Sequence, residues 1–344
     1  MGGLCGRAGG EAGGFLTQSE SKLRLTHRKL RKEGLMKKKI RVGSRESKLA
    51  VAQTEEILEE VRAFHPEVEF ELVTMKTTGD RILDRNLDQI GGKGLFVKEL
   101  DRALLEGRVD LTIHSLKDLP MEQAEELPII GYSHRKDPRD VMILREKSMK
   151  EDEIRLIGSS SNRRRLQLQR LYPQAEFRGI RGNVQTRLKK LAEEGYDASI
   201  LAMAGLLRLG MEDKADRVFS VDEIIPAAGQ GILVFQGRKG EDYSFLQEAC
   251  DEDSEYAAQA ERAFVRKLDG GCSSPVAAYA EIREKRILLR GLYYDEAGRD
   301  YIVGKKEGRV EEAETLGLAL AAELKESYAR EKEQLERKEE KEIR

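Results

Sequence analysis

The sequence has few of the residues that mark disulfide-rich or membrane proteins. It has no tryptophan and only three cysteines in 344 residues, which are Cys5, Cys250 and Cys272. Their odd number, their wide spacing and the lack of a CxxC motif argue against a disulfide framework and against a zinc site, so no metal is expected and a reducing cytoplasm is indicated. The longest uncharged apolar run, residues 198–207, is too short to cross a bilayer.

An excess of charge of one sign is also missing. The chain has 61 Lys and Arg against 63 Asp and Glu, which gives a net charge of −2. The overall charge therefore gives no reason to expect nucleic acid as a partner, and any attraction for anions must come from local clustering. An RNA-binding protein is a weak alternative, because aromatic residues make up 6% of the chain and none alternates with the arginines.

The first 36 residues do not resemble the start of a domain. They are glycine-rich at first and then basic, with no apolar stretch of the kind that a secretory signal contains. We expect a disordered or mis-annotated N-terminal extension, with Met36 as the working start.

A pattern of strand, Gly-Ser turn and helix is present twice. IRVGSRESKLAVAQ, from Ile40, is similar to IRLIGSSSNRRRLQLQ, from Ile154, and KELDRALLEGRVDLTIHSLK is similar to TRLKKLAEEGYDASILAMAG. This repeat predicts two α/β lobes of similar topology that face each other across a cleft. Three short strand patterns after Cys272, VAAYAEI, ILLRGLYY and DYIVGKKEG, and a last helix predict a small α+β third domain. The expected domains are residues 37–133 with 231–252, residues 134–230 and residues 253–328, followed by a charged, solvated or frayed tail at 329–344.

The segment DLTIHSLKDLP, residues 110–120, predicts a buried strand that ends in a turn. Pro120 prevents continued pairing, so Lys117 and Asp118 lie just past the carboxyl end of the strand. Ligands bind at that edge of an open α/β sheet, and a carboxylate beside an ammonium is a plausible catalytic pair there. The alternative is a surface ion pair of no functional consequence.

The start of the helix in the second lobe is unusually basic. Arg163, Arg164 and Arg165 stand where cations oppose the helix dipole, which an anionic ligand would explain. The alternative is a solvated basic face. Near the end of the chain, GGCSSP places Cys272 on a constrained, exposed loop after two glycines.

Nine motifs occur in one order: GSRESKLA, TTGDRILD, GGKGLFVKEL, HSLKDLP, GSSSNRRR, RGNVQTRL, LAMAGLLRLG, PAAGQG and GGCSSP. Over about residues 38–328 they resemble the porphobilinogen deaminase (hydroxymethylbilane synthase) family. The resemblance implies two periplasmic-binding-protein-like α/β lobes around a cleft plus a small α+β C-terminal domain. It also implies a cytoplasmic, monomeric transferase that condenses four porphobilinogen molecules head to tail, releases ammonia and yields linear hydroxymethylbilane.

The resemblance also implies a cofactor and a set of site residues. The growing chain would be held on a dipyrromethane cofactor joined by a thioether to Cys272, and Asp118 would be the catalytic carboxylate. The implied cofactor-binding residues are Arg45, Ser47, Lys117, Ser161, Arg163, Arg164, Arg187 and Arg208. The implied substrate-binding residues are Lys93, Phe96, Arg181 and Gln230. A non-catalytic two-lobed anion-binding protein is the alternative, and it predicts no covalent adduct.

Overall fold

A computed structural model describes residues 39–81, 97–270, 275–297 and 299–342 of the chain. The predicted sites at Lys93, Phe96 and Cys272, and the N-terminal extension, lie outside these residues. The strands are β1 (Lys39–Arg45), β2 (Glu69–Met75), β3 (Leu111–Ser115), β4 (Ile129–Tyr132), β5 (Asp140–Leu144), β6 (Leu156–Gly158), β7 (Glu176–Arg178), β8 (Ala198–Ala202), β9 (Arg217–Val218), β10 (Leu233–Gln236), β11 (Ala277–Arg283), β12 (Arg286–Asp295) and β13 (Asp300–Arg309). The helices are α1 (Lys48–Phe64), α2 (Thr78–Arg81), α3 (Lys98–Leu105), α4 (Asn162–Leu171), α5 (Val184–Glu193), α6 (Met203–Leu207), α7 (Glu252–Lys267) and α8 (Ala313–Glu342).

Two lobes contain five-stranded sheets of the same topology. The strand order is β2-β1-β3-β10-β4 in the first lobe and β7-β6-β8-β5-β9 in the second. In each sheet the first three strands are parallel, and the fourth runs antiparallel to both of its neighbours. The two-lobed α/β fold predicted from the internal repeat is therefore confirmed.

The chain crosses between the lobes twice, through residues 133–139 (the first crossover) and residues 219–232 (the second crossover). The two crossovers touch, because the Lys136 N–H donates to the Gly231 carbonyl oxygen at 3.2 Å. Gly231 has a φ of +92°, and a Cβ atom there would lie 2.2 Å from the Lys136 carbonyl oxygen. Only glycine satisfies both conditions, so this position sets how closely the crossovers approach.

Apolar side chains cover both faces of the sheet in the second lobe. Met142 and Ile200 belong to one buried cluster, and Val141 and Leu201 belong to another. These residues are neighbours in strands β5 and β8, so alternate side chains point to opposite faces. A sheet buried on both faces is typical of α/β architecture and leaves the strand ends as the edge open to ligands.

The third domain is an antiparallel sheet, β11-β12-β13, against which α7 and α8 pack. Glu261 of α7 is fully buried and accepts hydrogen bonds from Arg135, Gly229 and Ala280, so it joins both crossovers to this domain. The tail is helical as far as Glu342. Within the described ranges, no helix is both long and apolar enough to span a membrane.

Candidate functional site

The turn after β3 holds Lys117 and Asp118 at the sheet edge, and residues 116–120 are called the Asp118 turn below. Leu116 to Asp118 form a single 3₁₀ turn, which the Leu119 N–H closes by donating to the Leu116 carbonyl oxygen at 3.1 Å. Leu116 and Leu119 are fully buried, whereas Lys117 and Asp118 are partly exposed. The buried leucines therefore anchor the turn, and the two ionisable side chains, although crowded by the protein around them, keep some contact with solvent.

Two serines cap helices at the equivalent edge of each lobe. Ser47 Oγ accepts from the Ala50 N–H at 3.2 Å at the start of α1, and Ser161 Oγ accepts from the Arg164 N–H at 3.4 Å at the start of α4. These helices follow β1 and β6, the paired strands of the repeat. Both helix N-termini lie past the carboxyl ends of their strands, where their N–H groups favour anions.

Asp140, which the sequence analysis did not identify, neutralises the basic helix start. Asp140 Oδ2 lies 2.8 Å from Arg163 Nη1, and Oδ1 lies 2.7 Å from Arg164 Nη2. Burial alone would raise the pKa of Asp140, but the two guanidinium charges outweigh burial and hold this pKa well below its usual range. An internal carboxylate therefore provides part of the neutralisation that the sequence analysis assigned to an anionic ligand.

Gln230 joins this buried group to the Asp118 turn. Its Nε2 donates to Asp140 Oδ1 at 2.9 Å and to the Pro138 carbonyl oxygen at 2.6 Å, which orients the amide. Its Oε1 then accepts from Lys117 Nζ at 3.3 Å. Lys117 of the first lobe and Asp140 of the second are thus connected through one buried amide.

Charges from both lobes act on one another around Asp118. Burial lowers the pKa of Lys117 to about 8; Asp118 opposes this shift, and Arg164 adds to it. Burial and the charge of Arg164 lower the pKa of Arg187 to about 10, again against the pull of Asp118, and Arg181 contributes to the lowering. Asp118 therefore lies within electrostatic reach of a lysine on its own lobe and an arginine on the other.

Positive charge is in surplus in this cluster. Its five cations are Lys117, Arg163, Arg164, Arg181 and Arg187, and its two carboxylates are Asp118 and Asp140. Mutual repulsion of the cations contributes to the lowered pKa values of Lys117 and Arg187. A ligand with several carboxylates would relieve this repulsion, so the cluster fits a polyanion.

Two further predicted residues have different surroundings. The side chain of Arg208 is 2% exposed, and it donates to Glu56 Oε2 and to the Gly231 carbonyl oxygen, each at 3.0 Å. These partners place Arg208 at the junction of α1 and the second crossover. Arg45 lies near the end of β3, since its charge assists burial in lowering the pKa of His114 to about 4.

Comparisons with known proteins agree with this architecture. The family model "Porphobilinogen deaminase, dipyromethane cofactor binding domain" matches residues 40–245, and "Porphobilinogen deaminase, C-terminal domain" matches residues 256–326. A porphobilinogen deaminase from Ruminiclostridium cellulolyticum is 53% identical over 278 residues, or 80% of this chain and 94% of the relative. Another, from Acetivibrio thermocellus, is 52% identical over 286 residues, or 83% of this chain and 98% of the relative.

Among solved structures, the periplasmic aliphatic sulphonate binding protein SsuA from Escherichia coli is similar at 12% identity. Its TM-score is 0.37, with 67% of this chain and 71% of that chain covered, and so distant a likeness supports no statement about function. The family models and the relatives together cover both lobes and the third domain. The chain therefore belongs to the porphobilinogen deaminase family, as an enzyme of tetrapyrrole synthesis that condenses porphobilinogen on a dipyrromethane cofactor.

Proposed function

We propose that Asp118 is the carboxylate that stabilises the cation formed when porphobilinogen loses ammonia. That loss leaves an azafulvene whose positive charge is spread over the pyrrole ring and its N–H. The observation that carries the proposal is that Asp118 lies within electrostatic reach of Lys117 and Arg187, which come from opposite lobes. A fixed anion beside the developing charge lowers the barrier, because it needs no reorganisation during the reaction.

The residues around Asp118 fit the dipyrromethane cofactor. Each of its pyrroles has an acetate and a propionate, and the surplus of cations matches these acids. When bound, the cofactor supplies the pyrrole to which the chain is extended, and we propose that it is attached through the sulfur of Cys272. The proposed cofactor-binding side chains are Arg45, Ser47, Lys117, Ser161, Arg163, Arg164, Arg187 and Arg208, and the proposed substrate-binding side chains are Lys93, Phe96, Arg181 and Gln230.

The hydrogen-bonding capacity of these side chains supports the assignment. A guanidinium has five N–H donors, so Arg163 and Arg164 keep N–H groups for ligand carboxylates although each bonds both to Asp140 and to a backbone carbonyl oxygen. Ser47 and Ser161 accept helix N–H groups with their oxygen atoms, and each hydroxyl can still donate its own proton. Bidentate arginines hold carboxylates with fixed geometry, which keeps a chain of pyrroles in register with Asp118.

The remaining proposals concern the whole protein. The product would be linear hydroxymethylbilane, made by a cytoplasmic monomer that acts as a transferase. The proposed domains are residues 37–133 with 231–252, residues 134–230 and residues 253–328, with an extension before them and a charged tail after them. This division is supported by the three separate sheets, because the strands of each sheet come from one of the three proposed domains.

The direct test is Asp118→Ala. We expect turnover of porphobilinogen to fall by about 100-fold or more, because an electrostatic partner of the transition state is lost. Turnover is measured as uroporphyrin formed after acid oxidation, and it is compared at equal cofactor content, which is read from the intact mass of each protein.

Two variants complete this test. Glu122→Ala removes an exposed carboxylate a few residues further along the chain and should leave turnover unchanged. Cys272→Ser should show the mass of the bare chain. Full turnover in Asp118→Ala would remove Asp118 from the mechanism, and a cofactor adduct on Cys272→Ser would refute the attachment site.

A further inference from the structure

Helix α7 holds the Asp118 turn by hydrogen bonds from one side chain. Arg262 Nη1 donates to the Leu119 carbonyl oxygen at 3.5 Å, and Arg262 Nη2 donates to the Pro120 carbonyl oxygen. These carbonyl groups belong to the two residues directly after Asp118. A cationic donor makes stronger hydrogen bonds than a neutral one, so the guanidinium restrains the backbone on which the Asp118 carboxylate stands.

The same helix also packs against the turn. Leu116 and Leu119, which flank Lys117 and Asp118, belong to one buried cluster with Ala258. Ala258 lies one helical turn before Arg262, on the same face of α7. Met121, just beyond Pro120, packs against the core of the third domain, to which α7 contributes Phe264. Apolar contacts therefore fix the turn on both sides of the two hydrogen bonds.

The turn needs this external support because it is short. A 3₁₀ turn of three residues has one internal backbone hydrogen bond, from the Leu119 N–H, and little else of its own to define its orientation. The charge of Arg262 also acts on Tyr132 at the end of strand β4, where it opposes the rise in the pKa of Tyr132 that burial causes.

We propose that Arg262 is a positioning residue that holds the Asp118 carboxylate in its productive place through the carbonyl groups of Leu119 and Pro120. This inference rests on the proposed catalytic role of Asp118. Helix α7 ends at Lys267, a few residues before Cys272 in the sequence. One helix thus orients the turn that carries the carboxylate and leads directly into the segment that carries the cofactor sulfur.

The test compares Arg262→Leu and Arg262→Lys with Arg266→Leu in the cofactor-loaded enzyme. Arg266 lies one turn further along α7 and pairs with Glu314 in an exposed ion pair, so its removal takes away the same charge without touching the turn. We expect Arg262→Leu to lower kcat by about 10-fold to 100-fold, as small displacements of a catalytic group do, with the KM for porphobilinogen changed by less than about twofold.

The lysine variant separates positioning from folding. Lysine can donate to one of the two carbonyl groups but lacks the planar fork, so Arg262→Lys should recover part of kcat while cofactor content and thermal unfolding match those of the control. If Arg262→Leu does not fold, the comparison of Arg262→Lys with Arg266→Leu tests the inference. We then expect Arg262→Lys to have the lower kcat of the two. A kcat equal to that of the control, or a loss expressed in KM instead of kcat, would overturn the inference.

The outcome can be separated from failure of the proposed function. If Asp118→Ala retains turnover, the role of Asp118 itself is refuted. If Asp118→Ala is inactive while Arg262→Leu behaves as the control, only the role of Arg262 is refuted.

Discussion

Asp140 is the buried carboxylate that pairs with two arginines of the second lobe. It is fully buried and faces Arg163 and Arg164, which are 5% and 7% exposed. Charges in a protein interior are tolerated only when they are paired and hydrogen-bonded. The aspartate therefore fixes both guanidinium groups before any ligand arrives, which reduces the ordering that binding would otherwise require.

Removal of this charge should be costly. We expect Asp140→Asn to lower the free energy of unfolding by about 3–5 kcal/mol, because two buried guanidinium groups lose their anion. The measurement is urea denaturation in the Cys272→Ser background, where no bound cofactor contributes to the free energy of unfolding. Since the pKa of Asp140 lies below its unfolded value of about 3.9, the native pairing contributes above that pH and is lost only as the pH falls through the lower folded value.

The control for Asp140→Asn is Glu333→Gln, which breaks an exposed pair with Arg337. It should change the free energy of unfolding by less than about 1 kcal/mol. A loss of the same small size for Asp140→Asn would show that the arginines do not need the buried carboxylate.

Helix α1 shows how one element is fixed at both ends. Ser47 caps its N-terminus, and the His65 N–H donates to the Val61 carbonyl oxygen at its C-terminus. The ring of His65 also lies between two carboxylates, with Nε2 2.9 Å from Glu248 Oε2 and Nδ1 3.3 Å from Glu67 Oε1. The end of the helix far from the site is thus attached to the segment Ser244–Ala249, and the capped end is left to face the cleft.

This attachment predicts a dependence of stability on pH. Burial lowers the pKa of His65, but Glu248 and Glu67 outweigh burial and raise it above the usual value. A raised pKa means that the stabilisation is fully present below the unfolded value of about 6.5 and is lost as the pH rises through the folded value. His65→Gln should therefore be less stable than the parent at pH 5.5 and equal to it at pH 9, as measured by urea denaturation.

His134→Gln is the matched control, because His134 is 68% exposed and pairs with Asp251 at the surface. It should alter stability little at either pH. Equal destabilisation by His65→Gln at both pH values would show that the ring acts by packing and not by its charge.

At the scale of the whole molecule, ion pairs join the lobes and the third domain in addition to apolar contacts such as that of Met121 with the core of the third domain. Glu56 of α1 lies 3.0 Å from both Arg208 and Lys136, which joins the first lobe to the second lobe and to the first crossover. The third domain meets the second crossover where Asp222 pairs with Arg290 and Lys305.

Arg208 provides a test of whether a predicted ligand residue acts at this junction. If its partners Glu56 and the Gly231 carbonyl group define its role, Arg208→Met should lower the free energy of unfolding by about 1–3 kcal/mol even in the Cys272→Ser protein. If Arg208 acts through the cofactor, the loss should appear only in the loaded enzyme. Urea denaturation of Arg208→Met in both backgrounds distinguishes the two roles.

Local patterns in the sequence determined the repeated strand–turn–helix units and the position of Lys117 and Asp118 past the end of a strand. They are predictable because hydrophobic periodicity, capping and turn formation depend on residues close together in the chain. Only the tertiary structure decided which charges meet: Asp140 with Arg163 and Arg164, Glu56 with Arg208, and Arg262 with the turn after Asp118. These partners come from segments far apart in the sequence. The packing of the lobes and the third domain determines which partner a buried charge meets, and a single sequence contains no local signal for that packing.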